Sequence, residues 1–291
     1  MKILIADAFD EGLPKRLAPF GEVFTDMGRL AEANVLLIRS KTKATKEFLE
    51  GAPKLELIIR GGVGLDNVDR EACKARGIEV TNTPKASSVA VAELAMALML
   101  AVPNRLVEAH QGMKEGKWLK KELKRTELYR KTLGIVGVGL IGTEVARRAA
   151  AFGMELLGFD PFVPKHEIAT MVKSLDELFA RSDYISFHTP LTAETKGMIG
   201  KDALAKMKKG VVLVNTGRGK IMVEEDLAEA LRSGHVRAYA TDVWYSDPPD
   251  PSSPLLSAPN VLMAPHIGAS SKENLLRIGD TVVEILGKRK R

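Results

Sequence analysis

Three glycines in Leu133-Gly134-Ile135-Val136-Gly137-Val138-Gly139-Leu140-Ile141-Gly142 are spaced G-x-G-x-x-G, directly after an apolar run and at the start of a helical pattern. Gly137 permits a tight turn there, Gly139 lets the backbone approach a pyrophosphate, and Gly142 allows a helix to pack closely on a strand. The helix would begin at Leu140 and Ile141, and its first turn offers unpaired N–H groups and the positive end of a dipole. Asp160 ends the next apolar run, 18 residues beyond Gly142, where a carboxylate bonds the hydroxyls of an adenosine ribose. Such a carboxylate repels a 2′-phosphate. Pro161-Phe162 follow it rather than an arginine, with Lys165 and His166 nearby, so NAD is expected over NADP.

Arg218, in Val214-Asn215-Thr216-Gly217-Arg218-Gly219, lies just past another apolar run, where open α/β sheets place their ligands. Its guanidinium can clamp a carboxylate with two parallel hydrogen bonds. Of the histidines His110, His166, His188, His235 and His266, two also end apolar runs: His188 in Phe187-His188-Thr189-Pro190 and His266 in Ala264-Pro265-His266-Ile267-Gly268. Either can exchange a proton, and spacing does not choose between them. A dinucleotide cradle, a carboxylate clamp and a proton acceptor are what oxidation of a hydroxy acid requires.

These residues need a sheet to present them. Strands are expected at Lys2–Ala6, Val35–Ile38, Leu55–Ile59, Ile78–Val80, Leu133–Val136, Glu155–Phe159, Tyr184–Phe187, Val211–Val214, Arg237–Thr241 and Val261–Ala264. Most lack strict alternation, as parallel strands buried on both faces do. Helical patterns at Leu140–Phe152, Leu175–Ala180, Lys201–Met207 and Glu224–Arg232 intervene, which argues for an α/β fold with doubly wound parallel sheets. About 130 residues precede the glycine fingerprint and carry their own strand–helix rhythm, so a second α/β domain is expected to supply substrate contacts. The Pro-rich segment from Asp247 to Pro254 reads as a rigid surface loop.

Composition sets the outer bounds. The 291 residues are 45% apolar and 27% charged, ordinary for a globular chain of two domains. A net charge of +6 is modest, and no nucleic-acid signature accompanies it; an anionic small molecule accounts for it. The lone Cys73 excludes an internal disulfide and any cysteine-based metal site, and a reducing cytoplasm is expected. The longest apolar stretch, Val89–Val102, has 14 residues and includes Glu93, short of the roughly 20 that span a bilayer.

Several segments occur in the order found in the D-isomer-specific 2-hydroxyacid dehydrogenases, which this chain resembles over essentially its whole length. They are Arg60–Asp69 (RGGVGLDNVD), Met113–Trp118 (MKEGKW), the glycine fingerprint, His188–Thr192 (HTPLT), Asn215–Gly219 (NTGRG) and Pro265–Ser270 (PHIGAS). Within that family the motifs look most like those of members acting on D-3-phosphoglycerate. The resemblance implies NAD-dependent oxidation of that acid to 3-phosphohydroxypyruvate, with a glyoxylate or hydroxypyruvate reductase as the rival enzyme and an NAD-sensing corepressor-like protein as the rival binding module. It implies that Arg218 binds the substrate carboxylate and that His266 is the general acid/base. His188, Thr189, Pro190 and Thr216 then belong to the cofactor cleft, and Asp242 contacts the nicotinamide carboxamide.

The implied architecture is a Rossmann NAD-binding domain, residues 93–267, inserted into a flavodoxin-like substrate domain of residues 1–92 and 268–291. Backbone amides of Gly61, Gly62, Val63 and Gly64 would join Arg218 on the carboxylate, and Arg39, Lys41 and Arg60 would hold a phosphate, with Arg105 as a further cation. The segment Ser87–Val102 is expected to be a hinge helix and a contact of a homodimer. Because the chain ends just after its last expected helix, Ser271–Leu286, no serine-binding regulatory domain is expected.

One position departs from the family pattern. Asp247 stands where a glutamate normally pairs with the catalytic histidine, so the backbone must come closer for the carboxylate to reach the imidazole. A carboxylate there still favours the imidazolium form. Formate-oxidising members would carry an uncharged amide at this position.

Overall fold

The computed structural model describes residues 1–289, which fold into two compact α/β units. The first comprises Met1–Ala90 together with the chain from Ala269 onward, and the second comprises Val91–Gly268.

The first unit is built on five parallel strands: β1 (Lys2–Ile5), β2 (Glu22–Phe24), β3 (Val35–Ile38), β4 (Leu57–Arg60) and β5 (Glu79–Asn82). Their order, β2-β1-β3-β4-β5, is the flavodoxin-like one. All four residues of β3 are buried because the strand is covered on both faces. Val35 and Leu37 pack with Ile3, Ile5 and Leu57 on one side, and Leu36 and Ile38 with Leu4, Leu49 and Ile58 on the other. The short helices α1 (Leu13–Leu17), α2 (Lys46–Glu50) and α3 (Arg70–Ala75) flank the sheet. Thr45 and Asp69 cap α2 and α3 by accepting from Phe48 N and Ala72 N, bonds of a kind worth about 1 kcal/mol each.

The helices α4 (Ser88–Asn104) and α5 (Leu106–Lys114) follow. The helix expected over Ser87–Val102 runs two residues further and includes Pro103. Asn104 Nδ2 donates to Leu100 O at 2.8 Å in that last turn, and Arg105, left-handed at φ 51°, then breaks the helix.

The second unit holds seven parallel strands: β6 (Thr132–Val136), β7 (Glu155–Phe159), β8 (Thr170–Met171), β9 (Tyr184–Phe187), β10 (Val211–Asn215), β11 (Val236–Thr241) and β12 (Val261–Met263). Interleaved are α6 (Leu140–Ala151), α7 (Leu175–Arg181), α8 (Lys201–Ala205) and α9 (Glu224–Arg232). The order β12-β11-β10-β9-β6-β7-β8 reverses between β6 and β9, the crevice where doubly wound sheets bind dinucleotides. Returning to the first unit, α10 (Lys272–Arg289) buries Ile278, Val282 and Leu286, a stripe at i, i+4 and i+8.

Two strands, β2 and β8, carry no sequence signal. Both are edge strands of three and two residues, and of these five residues only Phe24 is buried. A strand covered on one side and paired on one edge need not be a continuous apolar run. No single helix among the described residues is long and apolar enough to cross a membrane.

Candidate active site

The glycine fingerprint forms the β6–α6 junction, and each glycine answers to a different constraint. Gly137 has φ +89°, and a Cβ there would press on the main chain of His188 at 3.0 Å. A Cβ on Gly142 would sit 2.2 Å from Gly137 O, so no side chain fits. A Cβ on Gly139, which caps α6, would meet nothing within 4 Å, and the open space lies at the helix N-terminus. Leu140 is exposed and Ile141 half-buried beside it.

Asp160 follows β7 and braces this loop: its carboxylate accepts from Val138 N at 3.2 Å and Phe162 N at 2.9 Å. His166 is committed to structure. Its Nδ1 accepts from Ile168 N and Ala169 N at 3.2 and 3.1 Å, so the ring proton lies on Nε2, 3.0 Å from Thr143 Oγ1.

Past β9, His188 is half-buried, with Nε2 2.8 Å from Ser186 Oγ and a buried Nδ1 that has no partner among the described residues. Burial pushes this imidazole down to about 4, so it is neutral at physiological pH. Thr189 Oγ1 and, past neighbouring β10, Thr216 Oγ1 are also buried without partners. Unpaired buried polar groups each cost about 1–3 kcal/mol. Three of them on adjacent strand ends beside an open helix N-terminus fit a dinucleotide, whose amide, hydroxyl and phosphate groups supply the missing partners. Pro190 completes this turn and accepts Thr195 Oγ1 at its carbonyl.

The turn after β10 carries Arg218. Gly217 N donates to Asn215 Oδ1 at 3.0 Å, Asn215 Nδ2 donates to Arg218 O at 3.0 Å, and Arg218 Nη1 donates to Gly217 O at 2.7 Å. Gly219 lies so close to the next turn that a Cβ would fall 2.1 Å from the carbonyl carbon of Trp244. Trp244 Nε1 in turn donates to Ala264 O at 3.0 Å, reaching the segment after β12.

That segment holds His266, a non-glycine residue at φ +54°. Its conformation is fixed by Asp242, buried after β11, whose two oxygens accept from Ile267 N at 2.8 Å and Gly268 N at 2.7 Å. Burial pushes the Asp242 carboxyl up, while those two N–H groups and then His266 pull it back. Asp247 Oδ2 hydrogen-bonds His266 Nδ1. The shorter aspartate therefore reaches the ring. With Nδ1 donating to the carboxylate, Nε2 of the neutral ring is left as a proton acceptor. Asp250, a second acid of the same loop, accepts from Ser252 N and Oγ at 2.8 and 2.6 Å.

In the first unit, the loop after β3 is pinned from two sides. Asp7 accepts from Arg39 N, Thr42 N and Thr42 Oγ1, and Asn67 Nδ2 donates to Arg39 O and Thr42 O. The Arg39 guanidinium donates to Ala8 O at 3.2 Å and Ala269 O at 2.7 Å, so it braces this loop. Burial draws it below its ordinary value, against the pull of Asp7. Lys41 is exposed. Arg60 ends β4 and lies along the next turn, where Gly62 has φ +142° and a Cβ would fall 1.6 Å from Arg60 Nη1. Gly62 N donates to Thr83 Oγ1 at 2.8 Å; Gly61 is buried, Val63 exposed and Gly64 half-buried.

Sequence reasoning passed over Ser186, Asn215, Tyr239 and Thr241, all buried in the second unit. The available signal was a polar side chain at or near the end of an otherwise apolar strand.

Comparison with known proteins adds an independent line. A family model described as D-isomer specific 2-hydroxyacid dehydrogenase, NAD binding domain, matches residues 96–268. The D-3-phosphoglycerate dehydrogenase of Methanocaldococcus jannaschii is 43% identical over 300 residues, covering 99% of this chain and 57% of that protein. The hydroxypyruvate reductase of Thermotoga maritima is 47% identical over 261 residues, covering 89% of this chain and 85% of that one. The crystal structure of NAD-dependent formate dehydrogenase from Staphylococcus aureus in complex with NAD superposes with a TM-score of 0.89 at 34% identity, covering 100% of this chain and 96% of that one. The chain thus spans little more than half the length of the first of these relatives.

Proposed function

From membership in the D-isomer-specific 2-hydroxyacid dehydrogenase family, to which this chain belongs, we propose that it oxidises D-3-phosphoglycerate to 3-phosphohydroxypyruvate with NAD, and runs the reverse reduction. What supports the reading is that Arg218, Asp247 and His266 lie on turns after three neighbouring strands, β10, β11 and β12, and that Asp247 bonds His266.

NAD supplies the hydride acceptor, and as NADH the donor. It would be held by Gly137, Gly139 and Gly142, the N–H groups at Leu140 and Ile141, Asp160, His188, Thr189, Pro190, Thr216 and Asp242. Arg218 clamps the substrate carboxylate. In oxidation, neutral His266 takes the C2 hydroxyl proton on Nε2 while Asp247 stabilises the imidazolium that forms. In reduction, the imidazolium returns the proton to the carbonyl oxygen.

Lys41 and Arg60 are assigned to the phosphate, with Arg39 shaping the loop that presents Lys41. The reading places the protein in the cytoplasm as a homodimer. The exposed apolar side chains of Leu106, Val107, Met113 and Trp118 support a partner surface on and after α5.

A second reading, reduction of unphosphorylated hydroxypyruvate, is favoured by the 47% identity to a hydroxypyruvate reductase over most of that protein. It also draws support from the engagement of Arg39 with main-chain carbonyls, which leaves fewer cations for a phosphate. NADH oxidation with phosphohydroxypyruvate, hydroxypyruvate and glyoxylate, run side by side, separates the two. A preference of about tenfold or more in kcat/KM for the phosphorylated acid, about 1.4 kcal/mol, supports the first reading. Equal or better rates on the unphosphorylated acids replace it with the second.

A further inference from the structure

We propose, resting on the dehydrogenase reading, that Tyr239 is a positioning residue. Its buried hydroxyl, set between Asn215 and Thr241, keeps the turn carrying Arg218 in register with the turn leading to Asp242 and Asp247.

Asn215 and Thr241 are direct neighbours at the ends of β10 and β11. Tyr239 lies two residues before Thr241 on the same face of β11 and is 1% exposed. Asn215 Nδ2 donates to Tyr239 Oη at 3.2 Å as well as to Arg218 O. Tyr239 Oη donates to Thr241 Oγ1 at 3.2 Å. Thr241 Oγ1 also accepts from Val243 N at 3.1 Å and donates to Val243 O at 2.7 Å. The chain of donors therefore runs one way, from amide to phenol to threonine to the Val243 backbone. Burial holds the phenol up near about 12, so the proton this order needs stays in place.

Position distinguishes this trio from ordinary core filling. The other side chains buried along β10 and at the centre of β11 are aliphatic, and these three put polar atoms only where the strands give way to turns. Besides each other, the main-chain groups they bond belong to Gly217, Arg218 and Val243, together with Asn215 O at 3.3 Å from Thr241 Oγ1. The close approach of Gly219 to Trp244, and the Trp244 bond to Ala264 O, carry the same register on to His266. A fully satisfied buried network defines one geometry, and a broken one leaves costly orphans that shift to recover partners.

The test is steady-state kinetics of Tyr239→Phe, which keeps the ring and deletes the bridge, beside Thr241→Val, Thr241→Ser and the double variant Tyr239→Phe/Thr241→Val. Reduction of whichever keto acid the wild type prefers is measured together with NADH affinity and melting temperature. The expected result is a KM for the keto acid raised about fivefold in Tyr239→Phe and Thr241→Val, the weight of one lost hydrogen bond. NADH affinity should stay within about twofold, Thr241→Ser should return to the wild-type KM, and the double variant should be no worse than either single one. A lowered melting temperature with KM unchanged in both variants overturns the proposal. If Tyr239→Phe does not fold, the Thr241→Val and Thr241→Ser pair decides on the same criterion. A wild type that reduces no keto acid overturns the dehydrogenase reading and the proposal with it.

Discussion

The two units share a plan, a parallel sheet buried on both faces, but they treat the polar groups beyond their strand ends differently. In the first unit those groups close on the chain itself. Asp7, Asn67, Thr42 and Arg39 bond one another's loops, and the orphans Ser87 Oγ, Asn274 Oδ1 and Arg39 Nε lie on separate segments. In the second unit three of the four orphans among the described residues gather, Arg237 Nε on β11 being the exception. His188 Nδ1, Thr189 Oγ1 and Thr216 Oγ1 sit past adjacent strands, next to a helix N-terminus open above Gly139. Scattered orphans lower stability without serving any ligand; convergent ones mark where a ligand completes the structure.

The largest test of this contrast is His266→Ala. General acid–base catalysis contributes about 10²–10⁴-fold, so kcat should fall about 10³-fold while NADH affinity is kept. A loss under tenfold would return the proton-transfer role to another group.

Next in size is the pH dependence of stability set by His188. Its folded value is about 4, below the ordinary value of 6.5 that an unfolded chain shows. Above 6.5 both states are neutral and the full stability is present. Between 6.5 and 4 only the unfolded chain binds the proton, so stability is lost as pH falls through that window, by up to about 3 kcal/mol. Urea unfolding at pH 7 and pH 4.5 should show a smaller drop for His188→Asn than for the wild type. Equal drops would mean that the buried ring is not what acid attacks.

Arg218→Lys should reduce kcat/KM for the keto acid about 30-fold, about 2 kcal/mol, because an ammonium cannot replace a bidentate fork. Stability should barely change, and an effect confined to stability would make Arg218 a structural residue like Arg39.

The smallest effects test the first unit. Arg39→Gln should lower the unfolding free energy by about 1–2 kcal/mol through its lost main-chain bonds and leave KM within about twofold. Lys41→Ala should instead raise KM for the phosphorylated acid about fivefold at constant stability. Exchange of these two outcomes would reverse the roles of brace and ligand.

Much of this was legible in the residues. Local rules operate on short stretches, so the apolar runs placed β3, β7 and β9 to the residue and the other interior strands to within two residues. The fingerprint spacing likewise predicted a turn and a helix start, because φ at Gly137 and the contact at Gly142 are local constraints. The edge strands β2 and β8 were not legible, since pairing with a neighbour, not side-chain pattern, makes them strands.

The identity and spacing of the chemical groups were thus written in the chain: glycines, an acid, an arginine and histidines, each ending an apolar run. Their mutual geometry was not. Whether Asp247 reaches His266, whether Arg39 faces a ligand or its own loops, and that Asn215, Tyr239 and Thr241 join two turns all depend on which strands lie side by side. Sequence-local forces choose strand or helix, but burial and long-range pairing choose neighbours. A hydrogen bond across 19 or 24 residues exists only after the sheet has brought its two ends together.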